Sequence, residues 1–253
     1  ELLEKMVAAR TEVGSPIGLK MYWDENNEAE SALRMAQADP LNSVVLARTN
    51  RMIGVLERLC NRHDIQYHLL GRTGFWKQNE IHKAINKLKD YPSLPATTAM
   101  ILVLPSVEAH YAVDDRTERD NDALENLQVL REIGKDFSTT REFCAYANKM
   151  VHRRNVARGV TLSTIHQAKG AEFSNVFLIG AKAGMIPHKN GDPKEEERIW
   201  FVAISRAMNR LRISWAGTPS PYLRRYLTED ILDRLREKAD EVERLQAQTK
   251  LFA

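Results

Sequence analysis

The chain has 253 residues, 43% of them apolar, and a formal net charge of +3. That apolar fraction supplies a sizeable core and excludes a disordered chain, and the near-balanced charge leaves any affinity for a polyanion to a local patch. The two cysteines, Cys60 and Cys144, lie far apart without metal-ligand spacing, which excludes a disulfide framework or zinc site and favours a reducing compartment.

Residues 1–10 read as a helix with Leu2, Leu3, Met6 and Val7 on one side. A short strand follows at 18–23, then a helix over 25–38 with Ala29, Ala32, Leu33 and Ala36 inward, ended by Asp39-Pro40. Residues 43–47 form a second buried strand, and Asn50 caps or begins a helix reaching Cys60. Residues 65–70 read as a strand, and 77–88 as an amphipathic helix through Ile81, Ala84, Ile85 and Leu88. This alternation predicts a parallel sheet with right-handed crossovers.

The pattern breaks at residues 91–95. From there to about 158 the chain is more helical: an apolar run at 99–104, a charged connector at 114–122, and helices over 124–133 and 140–151. Strand character returns at 160–164 and in the apolar run 176–179, as expected of strands buried on both faces. Between them lies a polar cluster, Thr164, His166, Lys169 and Glu172, expected beyond the carboxyl ends of the strands, where open α/β sheets bind ligands. A helix apolar from Ile199 to Ile204 then leads through Arg206 into a last strand at Leu211 to Trp215. Ile231, Leu235, Ala239, Val242 and Leu245 mark a charged tail helix, packed or frayed, with partner binding the less economical reading. No apolar run approaches the roughly 20 residues that span a bilayer, and no signal peptide is visible. A soluble, cytoplasmic protein with no membrane partner is expected.

Two stretches resemble motifs of the UvrD/Rep/PcrA-type superfamily 1 DNA helicases. Thr164-x-His166-x-x-Lys169-Gly170-x-Glu172-Phe173 is similar to motif V, and Val202-Ala203-Ile204-Ser205-Arg206-Ala207 to motif VI. Leu46-Ala47-Arg48-Thr49-Asn50, Gly71-Arg72-Thr73-Gly74-Phe75-Trp76 with Glu80-Ile81, and Met185-Ile186-Pro187-His188 resemble further family segments. The resemblance implies the C-terminal RecA-like domain, called 2A: a parallel sheet flanked by helices, in two parts at 1–91 and 159–226. A short, mostly helical insertion at 92–158 stands in place of the large 2B subdomain, and 227–253 is a tail.

It also implies roles. Arg206 becomes an arginine finger against the γ-phosphate of ATP. Glu172 accepts from a ribose hydroxyl, Gly170 lets the backbone turn near the nucleotide, and Lys169 lines the cleft. Arg48, Asn50, Thr164, His166 and His188 become contacts to single-stranded DNA. The residues alone carry plainer readings: an ion pair of Arg206 with a glutamate among 195–197, a solvated Arg48, and core packing of Phe75 and Trp76 rather than base stacking.

The sequence contains no Gly-x-x-x-x-Gly-Lys-[Ser/Thr] phosphate loop, and it opens on Glu1 rather than Met. The expectation is therefore the second motor domain of a longer, 3′-to-5′ ATP-dependent DNA helicase. ATP with Mg2+ would be shared with an N-terminal RecA-like domain that holds the metal ligands, and the fragment alone would be inactive. The alternative is a non-catalytic RecA-like docking module.

Overall fold

The computed structural model describes residues 14–70, 75–115, 117–151, 159–189 and 191–251. The expected first helix at 1–10 and the segment 71–74 lie outside them. Six strands, β1 (Gly18–Tyr22), β2 (Ser43–Ala47), β3 (Tyr67–Leu69), β4 (Val160–Thr164), β5 (Phe173–Leu178) and β6 (Ala207–Ala216), form one sheet in the order β1-β6-β5-β2-β4-β3. Every pairing is parallel. The expected α/β fold, a parallel sheet flanked by helices, is the observed one.

β2 lies third from one edge, and all five of its residues are buried, which is why Ser43-Val44-Val45-Leu46-Ala47 is nearly uniformly apolar. One face of the sheet packs on α1 (Glu25–Ala36) and α2 (Asn50–Arg62) through Ala29, Leu33, Met52 and Leu56. The other face, carrying Val44, Leu46, Val176 and Ile213, packs on α7 (Pro193–Ser205) and the short α8 (Pro221–Arg224) through Ile199, Trp200, Ala203 and Leu223. The tail forms α9 (Glu229–Leu251). Leu232 is buried in this second cluster and Leu235 packs against it, while Ile231 is 38% exposed. Leu235 and Ala239 thus lie inward as the pattern expects, and Leu232 takes the place expected of Ile231.

Local chemistry sets the helix starts. The Asp24 carboxylate accepts from the Asn27 N–H at 2.7 Å and caps α1. Asp192 accepts from the N–H groups of Lys194 and Glu195, and Pro193 occupies the first turn of α7. Thr49, rather than Asn50, caps α2: its hydroxyl accepts from the Met52 N–H at 3.4 Å, and Asn50 is the first helical residue.

Between β3 and β4 stands a helical unit of α3 (Asn79–Leu88), α4 (Ala96–Glu108), α5 (Glu118–Gly134) and α6 (Thr140–Val151). It has its own apolar cluster, centred on Leu88, Met100, Leu127 and Phe143. That cluster also takes in α3 and the 3-10 turn Phe75–Lys77, so side chains from residue 75 onward pack with the helices that follow 92. Phe75 and Trp76 are buried in it, with ring centroids 5.1 Å apart and edge to face, which settles them as core rather than as a stacking surface. Among the described residues, no helix is long and apolar enough to cross a membrane.

One buried carboxyl ties α1 to the sheet. Glu28 is fully buried; its Oε1 accepts from the Gly180 N–H at 2.8 Å and the Ser214 hydroxyl at 2.6 Å, while Oε2 has no partner. Burial pushes its pKa from 4.5 up to about 7. The folded chain therefore holds a proton that the unfolded chain releases, and stability present below about pH 4.5 is lost as pH rises toward 7. Denaturant titrations at pH 4.5 and 7.5 should show Glu28→Gln gaining on the parent at the higher pH by at most about 3 kcal/mol. An unchanged difference between the two proteins would contradict the assignment.

Candidate functional site

The carboxyl ends of β2 and β4 lie side by side, with Ala47 opposite Thr164 and the Ile165 N–H donating to the Ala47 carbonyl at 3.0 Å. The residues leaving these strands, Arg48 and Asn50 on one and Thr164 and His166 on the other, therefore emerge together. All four line a groove of about 970 Å³ whose far wall belongs to the helical unit. Thr164 and Asn50 are buried, and His166 is exposed.

Arg48 is held rather than solvated. Its Nε donates to the Glu196 carboxylate at 3.1 and 3.3 Å, and its Nη2 to Oε1 at 2.5 Å. Glu196, on α7, is 1% exposed, and its Oε2 also accepts the His188 backbone N–H at 2.8 Å. A Cβ on Gly191 would stand 2.6 Å from Glu196 Oε1, so glycine there leaves room for this carboxylate. His188 reaches the helical unit as well, its Nε2 lying 3.6 Å from Glu125 Oε1. Burial raises the Glu125 carboxyl above its ordinary pKa, and the His188 charge partly opposes this. Of the five residues expected to touch DNA, four thus share one groove and His188 joins them through Glu196.

The remaining candidates lie at the opposite edge. Residues 165–172 cross the sheet from the end of β4 to the start of β5, burying Ile165 and Ala168 on the α7 face. Glu172 immediately precedes β5 and is exposed; Arg206 immediately precedes β6 and is half-buried. The Phe173 N–H donates to the Arg206 carbonyl at 2.9 Å, so the two stand together. The expectation that Glu172 shares the carboxyl edge with Thr164 is corrected here, because the crossover of residues 165–172 suffices to traverse a short sheet. Lys169 and Gly170 are exposed on the same crossover. Gly170 has φ +85°, and a Cβ there would meet nothing within 4 Å, so glycine serves the backbone conformation rather than space.

Arg206 does not pair with a glutamate in the way its neighbours suggested. Its Nε donates to the Val202 carbonyl at 3.0 Å, Nη1 to the Ala171 carbonyl at 3.0 Å and Nη2 to the Ser205 hydroxyl at 2.9 Å. Glu196, one of the three expected partners, takes Arg48 instead. A guanidinium has five N–H donors, and these three bonds leave one on each terminal nitrogen. The group is thus fixed by neutral acceptors while its charge stays uncompensated by these bonds, an arrangement suited to an anion.

Sequence reasoning missed Glu196. The signal was present: Glu196, Ile199, Trp200 and Ala203 share one face of α7 at helical spacing, which places the carboxylate on the buried stripe. Among the described residues, no group of His, Cys, Asp and Glu is arranged to hold a metal ion.

Residues 104–218 match the family model of the UvrD-like helicase C-terminal domain. The chain is 30% identical over 213 residues to the ATP-dependent DNA helicase UvrD2 of Mycobacterium tuberculosis, covering 76% of this chain and 30% of that protein. It is 35% identical over 125 residues to DNA helicase II of Escherichia coli, covering 43% of this chain and 17% of that protein. The chain therefore spans less than a third of the length of these relatives. A solved structure, the C-terminal domain of a possible DNA helicase from Lactobacillus plantarum, aligns over 86% of this chain and 84% of its own at a TM-score of 0.43 and 13% identity.

Removing one member of a buried ion pair strands the other. Glu196→Ala should lower the unfolding free energy by about 3–5 kcal/mol, whereas the double change Arg48→Met with Glu196→Met should recover most of it. Equal losses in the single and double variants, read by urea titration, would contradict this account of the pair.

Proposed function

We propose that this chain, which resembles the C-terminal RecA-like domain of UvrD/Rep/PcrA-like superfamily 1 DNA helicases, is the second motor domain of an ATP-dependent DNA helicase or translocase. The observation that carries the reading is the grouping of the candidates. The residues proposed for nucleotide, Lys169, Gly170, Glu172 and Arg206, fall on one edge of the sheet and its approach, and those proposed for single-stranded DNA fall on the other.

In this reading ATP with Mg2+ lies between Arg206 and an N-terminal RecA-like domain that carries the phosphate loop and the metal ligands. Arg206, already aligned by the Val202 and Ala171 carbonyls, directs its two remaining N–H groups at the γ-phosphate and neutralises charge that builds in the transition state. Prior fixation matters, because a preset guanidinium needs no reorganisation when the charge develops. Glu172, an exposed anion, is placed to accept from the ribose hydroxyls rather than to approach phosphate. The nucleotide when bound supplies the free energy of hydrolysis; this chain supplies one cation, one acceptor and an open glycine turn.

At the carboxyl edge, Asn50, Thr164 and His166 hold the single strand, and Arg48 stands with them, its orientation set by Glu196. α7 joins the two edges. Glu196 near its first turn holds Arg48, and Arg206 caps its other end; thirteen residues at 1.5 Å each span about 20 Å. Closure of the cleft around ATP moves α7 as a rod and with it the grip on the strand, which advances 3′ to 5′ as the resemblance implies.

In the full polypeptide, Arg206→Ala should reduce single-strand-stimulated ATP hydrolysis by about 10³–10⁵ while leaving single-strand affinity and the melting temperature near those of the parent. Undiminished hydrolysis in a folded variant would refute the finger role.

A further inference from the structure

The groove at the carboxyl edge has a second wall, built entirely by the helical unit. Lys83 of α3, Tyr111 just past α4, and Arg119 and Asn126 of α5 face the same space as Asn50 and His166. We infer that this wall closes a channel for single-stranded nucleic acid and that the Tyr111 ring is the face on which one base stacks. The inference rests on the reading that the carboxyl edge takes single-stranded DNA.

Three observations support it. First, Tyr111 is half-buried: part of the ring packs on the helical core and the rest lines the groove. Its backbone is tied to α4. The Tyr111 N–H donates to the Glu108 carbonyl at 2.9 Å, and the Glu108 carboxylate is held by Arg131 through bonds of 2.6 and 3.0 Å. Second, the Lys83 ammonium lies over the ring, 5.7 Å from its centroid, so a base that stacks there takes the place of this cation and the flexible lysine turns to the phosphate of the same nucleotide.

Third, the charges of the described residues that line the groove cancel. Arg48, Lys83 and Arg119 are matched by Glu80, Asp120 and Asp122. Arg48 is already neutralised by Glu196, Glu80 accepts from Asn126 at 2.6 Å, and Asp120 closes the Thr117 cap of α5. A polyanion gains little here from charge alone. The proposed wall holds the strand mainly through its bases, by an aromatic face and fixed amides, which every base can use regardless of sequence. This distinguishes the wall from a phosphate-binding patch and gives it a separate signature. Losing a stacking ring lowers affinity without altering the salt dependence, whereas losing a phosphate contact reduces the salt slope by about one.

The test uses the full polypeptide and an oligothymidine carrying one 2-aminopurine or one 5-iodouracil. Tyr111→Leu should weaken binding by about 5- to 150-fold with an unchanged slope of affinity against salt, and should restore 2-aminopurine emission that the parent quenches. Tyr111→Phe should bind and quench like the parent. In the unaltered protein, which needs no variant to fold, photocrosslinking should mark Tyr111. Parent-like affinity in Tyr111→Leu, or crosslinks confined to residues 48–50 and 164–167, overturns the second wall and leaves the carboxyl-edge reading standing. Absence of any binding by the parent overturns both.

Discussion

The arrangement depends on one buried carboxylate. Glu196 is 1% exposed, yet it accepts from Arg48 at the end of β2 and from the backbone of His188 in the loop that precedes α7. Removing a carboxylate from water is costly, and here several charge-assisted or backbone donors must compensate together. Any movement that separates α7 from the end of β2 would leave both charges buried and unpaired. The pair therefore fixes the angle at which α7 lies on the sheet, and with it the place of the residue that ends the helix, Arg206.

Two groupings of the candidate residues follow from that geometry. At the carboxyl edge, the ends of neighbouring parallel strands bring Arg48, Asn50, Thr164 and His166 into one groove, although more than a hundred residues separate the two pairs in sequence. At the amino edge, the starts of β5 and β6 bring Glu172 beside Arg206. The crossover from β4 to β5 touches both edges, and α7 runs between them on the same face. Two connections, the crossover and α7, thus link the edges, as the proposed coupling of nucleotide to strand requires.

Much of the fold was legible because the strands are uniform. Val44 to Ala47 and Val176 to Leu178 are continuous apolar runs, and short continuous runs signal a sheet covered on both faces. The starts of α1 and α2 were legible, at residue 25 and at Asn50, whereas that of α7 was not, although Asp192 caps it. The edges were not legible. Residues 165–172 look like one polar loop, and only the burial of Ile165 and Ala168 shows that they lie across the sheet. The partner of Glu196 was equally hidden, since hydrogen bonds between residues 148 apart leave no local trace. The groove-facing side of the helical unit was hidden too: Lys83 belongs to a helix whose periodicity reports only its inward face, and Tyr111 lies in the turn after another.

Separation of the two ligands onto opposite edges is the central claim, and hydrogen exchange on the full polypeptide tests it most directly. Saturating single-stranded DNA should slow exchange at residues 48–50 and 164–167, and a non-hydrolysable ATP analogue should slow it at 170–173 and 205–207. Protection of the same edge by both ligands, or protection of 170–173 by DNA alone, would contradict the account.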